Sequence, residues 1–224
     1  MATQQVHSLA ASPAKRRPTT FIPLEDMLDS LGVDTDKALL EDRFIRVAVG
    51  QLSELNPYIV QYAAFLMDVH PSRSARYLAG ALAGHWQQGP SSALLVRYGP
   101  SKDTVYPLVL GLEDHGRVYS IKEIFRSFSR THEPSRDTIA PLVRYLDDPI
   151  RAPPIKEILH DYGPSAIMVG CLINALTDPT KKRAAADILK SFGRGALPFI
   201  HPPSPSSGVY TQLRNVIRQI ERGA

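Results

Sequence analysis

Four leucines, Leu78, Leu108, Leu142 and Leu172, stand 30, 34 and 30 residues apart, and each is followed four residues later by another: Leu82, Leu112, Leu146 and Leu176. A second series, Leu94, Ile124, Ile158 and Ile188, has the same 30, 34 and 30 spacing, and each member is followed four residues later by an aromatic: Tyr98, Phe128, Tyr162 and Phe192. Side chains at i and i+4 share one face of an α-helix. Each series is therefore one face of a recurring helix. Because both carry the same four-residue insertion between the same two repeats, the repeating unit is a pair of helices.

Flanking residues repeat as well. Asp103-Thr-Val-Tyr-Pro-Leu-Val matches Asp137-Thr-Ile-Ala-Pro-Leu-Val at an offset of 34, and Tyr98-Gly-Pro-Ser matches Tyr162-Gly-Pro-Ser at 64. Asp103 and Asp137 are expected at a turn or helix cap, with Pro107 and Pro141 in the first helical turn, where a missing N–H costs nothing. Asp114, Asp148 and Asp178 are expected to mark the turn to the second helix, and Gly99, Gly163 and Gly193 to end it. Upstream, Tyr58 to Met67 reads as a further helix of the first type, Ala38 to Leu55 as another, and Phe21 to Leu31 as a short cap. Arg151 followed by Pro153-Pro154 departs from the pattern, since proline falls where a helix is expected.

The composition permits a sizeable core: 224 residues, 43% hydrophobic and 21% charged, exclude collagen-like, low-complexity and wholly disordered classes. A single cysteine, Cys171, allows no internal disulfide and is expected to be a buried apolar residue. No apolar run reaches the length of a membrane span, and a cytoplasmic protein is expected. Residues 1–20 read as a disordered tail, 21–200 as the repeat body, 201–209 as a Pro/Ser linker and 210–224 as a basic amphipathic helix.

The stretch Asp178-Pro-Thr-Lys-Lys-Arg-Ala-Ala-Ala-Asp-Ile-Leu-Lys-Ser-Phe-Gly193, and the recurring Leu-x-x-x-Leu-x-Asp followed by Arg or Lys at the next helix start, resemble the short HEAT-like repeats also found in phycobilisome-lyase subunits. The Trp, Gly, Tyr, Ala and Pro positions of a tetratricopeptide repeat are not met. The resemblance covers about residues 73–200. It implies an all-α fold, an α-solenoid of about five stacked helix pairs in a superhelix with helical caps, whose leucine-bearing helices line a concave surface.

On that surface the outward positions are Arg73, Arg76, Tyr106, Arg144 and Asn174, interspersed with Asp103 and Asp137. These are the candidate partner-binding residues, Tyr and Arg being enriched at binding hot spots. A second candidate is a basic patch: Lys181, Lys182, Arg183, Arg214 and Arg218. Residues 1–120 hold 11 Lys/Arg against 12 Asp/Glu and residues 121–224 hold 15 against 10, so the positive excess lies in the second half.

No catalytic constellation emerges. The seven histidines include no pair at metal-ligand helical spacing, the glycines form no phosphate loop, and Glu113-Asp114 and Asp147-Asp148 recur as turn residues. Trp86 is expected to pack. The chain therefore reads as a scaffold or adaptor without cofactor or metal, binding a protein partner, which the basic excess would suit to an acidic surface. Nucleic-acid binding through the basic half is the alternative, and a lyase, chaperone or DNA-repair activity on a HEAT-like fold is a third.

Overall fold

The computed structural model describes residues 49–50, 52, 57–84, 86–201 and 208–222, and among these every regular element is helical. The expected tail, the helix at Phe21 to Leu31, most of Ala38 to Leu55 and the centre of the Pro/Ser segment lie outside the described residues. The elements are α1 (Pro57–Val69), α2 (Pro71–Ala81), α3 (Gln88–Tyr98), α4 (Lys102–Gly111), α5 (His115–Thr131), α6 (Arg136–Arg144), α7 (Ala152–Tyr162), α8 (Ala166–Ala175), α9 (Lys182–Ser191), a 3-10 segment (Gly193–Phe199) and α10 (Tyr210–Arg222).

Helices pack on their second neighbours. One row runs α2, α4, α6, α8 and the other α1, α3, α5, α7, α9, each helix touching the next in its row as well as its chain neighbour. Tyr58 to Met67 thus belongs to the second row, a correction: α1 is a hairpin partner of α2 and lies against α3, where Tyr98 Oη sits 2.7 Å from Asp68 Oδ1. The register is set by the two series. Every leucine of the first and every aliphatic residue of the second is buried, as is Phe128, whereas Tyr98, Tyr162 and Phe192 are half-buried at the edge of the same core.

Local chemistry explains the helix ends. Ser101, Ser135 and Ser165 cap α4, α6 and α8, each Oγ accepting the backbone N–H three residues on, at 3.2 to 3.3 Å. The aspartates expected there, Asp103 and Asp137, instead occupy the first helical turn, where a negative charge favours the helix dipole. Pro107 and Pro141 correspondingly fall inside the helices. Pro153 and Pro154 occupy the first turn of α7, where missing N–H groups are tolerated, so the helix forms despite the expected break. Gly99 and Gly163 end α3 and α7 at φ of 74° and 71°, a backbone that an L side chain adopts only under strain, whereas α5 ends at His132.

A charged ladder stitches the turns between rows. Asp114 pairs with Arg117, Asp148 with Arg151 and Asp178 with Lys181, always at i,i+3. Arg151 also reaches back to Glu113 of the preceding repeat, and its guanidinium lies 5.2 Å from the centre of the Tyr145 ring. The carboxylates serve the turn itself: Asp148 accepts the N–H of Ile150 at 2.9 Å and of Arg151 at 3.0 Å. Those backbone donors, with the Arg151 charge, hold the Asp148 carboxyl below its usual range. Hydrogen bonds from Lys181 and Thr180 lower Asp178 likewise.

α10 closes the far end. Leu213, Val216 and Ile220 are buried against α9 and the 3-10 segment, with Ile217 half-buried, so this helix belongs to the continuous core.

Candidate functional site

Along the solvent face of the first row, α2, α4 and α6 enclose a groove of about 870 Å³. Its floor is apolar: Pro107 and Leu110 from α4, and Ala140 and Pro141 from α6. Arg76 stands at one side and Arg144 at the other, with Tyr106 between them, 40% exposed, its hydroxyl 3.3 Å from that of Tyr145. That hydrogen bond and partial burial raise the Tyr145 phenol above its ordinary value.

Arg76, Tyr106 and Arg144, expected together from sequence, are thus brought together, along with Asp103 and Asp137. Arg73 and Asn174 are exposed on α2 and α8 but do not line the groove. Two cations escaped the sequence reading, Lys102 and Arg136. Each is the first residue of its helix, 34 positions apart, and each precedes an Asp-Thr pair, so the repeat itself carried their signal.

The groove shares unpaired cations with parts of the second row, where Arg97, Arg130, Lys156, Lys182 and Arg183 likewise form no ion pair among the described residues. Arg76, Lys102, Arg136 and Arg144 form no ion pair within 4.0 Å among the described residues. Of the acids, the Asp103 carboxylate accepts a hydrogen bond from the Ser72 hydroxyl, and Asp137 is exposed.

The prolines add a second set of polar groups. A proline in a helix interior cannot donate to the carbonyl four residues earlier. Pro107 therefore leaves the Asp103 carbonyl without its helical donor, and Pro141 does the same for Asp137; all four residues line the groove. Each freed carbonyl thus belongs to a residue that lines the groove together with the arginines.

The basic patch expected at the other end is divided. Lys181 is tied to Asp178 at 2.5 Å, while Lys182 and Arg183 at the start of α9 and Arg214 and Arg218 on α10 are exposed. Trp86 is 69% exposed, a correction to its expected packing: it stands in the short turn leading into α3 with most of its surface toward solvent. Cys171 is half-buried, its thiol pushed up by burial and drawn down by the nearby Arg136 charge. Among the described residues no group of His, Cys, Asp and Glu could hold a metal ion, and no helix is long and apolar enough to cross a membrane. No protein-family model, curated protein or solved structure matches the chain.

Proposed function

We propose that this chain is a protein-binding scaffold, an α-solenoid of HEAT-like helix pairs whose first row carries the partner site. Second-neighbour packing in both rows and a buried register that recurs with the repeat support the solenoid reading, because a lone helix pair cannot cover its own apolar face. The observation that carries the binding site is the groove over α2, α4 and α6: an apolar floor ringed by four cations and two aspartates, the cations forming no ion pair among the described residues. Unpaired arginines beside an exposed tyrosine are the composition of a recognition surface.

A photo-crosslinking residue at position 106 tests this, with position 156 on α7 as the control. Crosslinks to another protein at 106, absent at 156 and lost in the Arg76→Glu/Arg144→Glu double variant, are the expected result. Equal crosslinking at both positions, or none at 106, overturns the reading.

A second reading, nucleic-acid binding where α9 meets α10, draws on the exposure of Lys182, Arg183, Arg214 and Arg218. Binding to duplex or single-stranded oligonucleotides that falls steeply with salt supports it, and salt-insensitive or absent binding removes it.

A further inference from the structure

Resting on that assignment of the groove, we propose that its occupant is an acidic, extended segment of a partner protein that seats an apolar side chain between carboxylates. Three features converge on this chemistry. The cations facing the groove lack ion-pair partners among the described residues, so a carboxylate arriving there gains an interaction without displacing one. Leu110 is half-buried beside Pro107 and Ala140, a shallow apolar seat for one side chain. The carbonyls of Asp103 and Asp137, which Pro107 and Pro141 leave without a helical donor, can accept from the N–H groups that an extended peptide carries.

The third feature also chooses between polyanions. A nucleic-acid backbone offers phosphate oxygens and no N–H, so it brings the freed carbonyls no backbone donor, while Asp137 opposes phosphate and glutamate alike. An acidic peptide presents both charges needed at the arginines and donors needed at the carbonyls. Neighbouring packed helices are 8–10 Å apart, so crossing from α2 to α6 covers roughly 18 Å. An extended chain rising about 3.3 Å per residue makes that crossing with about six residues, enough for a carboxylate at each arginine and an apolar residue between.

The test uses the full chain and a fluorescein-labelled peptide in which one leucine is flanked on both sides by glutamates, read by anisotropy. Expected is salt-sensitive binding that Arg76→Glu and Arg144→Glu each weaken by about tenfold or more. Pro107→Ala restores the helical N–H to the Asp103 carbonyl, and the peptide then binds about three- to tenfold more weakly while helicity is retained. Pro141→Ala repeats the measurement at the equivalent position. The proposal is overturned if the same peptide with glutamine for glutamate binds equally well, if both proline variants bind as the parent does, or if single-stranded oligothymidine displaces the peptide and binds more tightly. Crosslinks at position 106 without any binding of the acidic peptide would sink this inference and leave the partner site standing; absence of both sinks the two together.

Discussion

The contact between α5 and α7 on the second row and the groove on the first are built from similar charged residues and do opposite things with them. Between α5 and α7 charges close upon one another: Lys122 of α5 pairs with Glu157 of α7, and Arg126 bridges Glu123 on its own helix and Asp161 on the next. On the first row, Arg76, Lys102, Arg136 and Arg144 face the groove without an ion-pair partner among the described residues. A surface that satisfies its own charges gains little from a visitor, whereas one that leaves cations unmatched is arranged to receive carboxylates. Exposed charge is thus informative here only after its pairing is known.

If that contrast belongs to the surfaces alone, the rows should be equal beneath them. Leu142→Ala in α6 and Ile158→Ala in α7, both fully buried, should each cost about 3 kcal/mol in urea unfolding. A twofold disparity would mean that the rows differ in their core as well. Pro107→Ala sharpens the contrast in the other direction. By restoring a helical hydrogen bond it should stabilise the fold by about 1–2 kcal/mol, the gain being reduced by the freer unfolded chain. A loss of stability would show that the proline is required by the packing of α4 and would remove its assigned role in the groove.

The second row should also show its internal ties in titration. Burial and the Asp68 carboxylate push the Tyr98 phenol up to about 12. A raised folded pKa contributes stability that is whole below the unfolded value near 10 and is lost as pH rises from there toward about 12. Tyr98→Phe should lower stability at neutral pH by about 1 kcal/mol and flatten that alkaline decline in a series of thermal melts. Arg126→Ala should cost about 0.5 kcal/mol and leave peptide affinity unchanged, whereas Arg76→Ala should do the reverse. The smallest effect is expected at the turns. Asp148 and Asp178 titrate below their ordinary value, so their contribution is present above about pH 4 and fades as pH falls below it. Asp178→Asn should soften the acid limb of the melting curve slightly, and an unchanged limb would remove the ladder from the account.

Much of the buried architecture was legible in sequence because burial recurs with the helix period. The leucine and aliphatic series name core positions directly, and the outward positions of α4 and α6 follow by rotation around the same wheel. What escaped was decided by short-range competition. Serine two residues ahead of aspartate took the cap, since its backbone stands in the extended conformation a cap needs, at φ of −121° for Ser101 and −103° for Ser135. The aspartate then lay within the helix and carried the proline inward with it. Trp86 was misjudged because hydrophobicity without periodicity does not specify burial. Pairing was the least legible property. Lys122 with Glu157 and Arg126 with Asp161 are each 35 residues apart, one more than the local repeat, and only the packing of α5 against α7 brings them together.

The four extra residues that make one repeat 34 long lie beyond Phe128, where α5 runs on to Thr131 before the chain turns at His132. Three residues, Ser129 to Thr131, continue the helix beyond Phe128 by a little under one turn of 3.6, and Phe128 and everything before it keep their orientation. The added turn emerges at the edge, with Arg130 and Thr131 exposed, and leans toward the preceding repeat: a Cβ placed on Gly99 would come within 3.0 Å of the His132 ring. The insertion falls after the last buried residue of α5, and the chain from His132 to Pro134 is not helical, so the rim is lengthened without disturbing what lies under it. Within this chain the buried register is kept although one repeat is four residues longer than its neighbours.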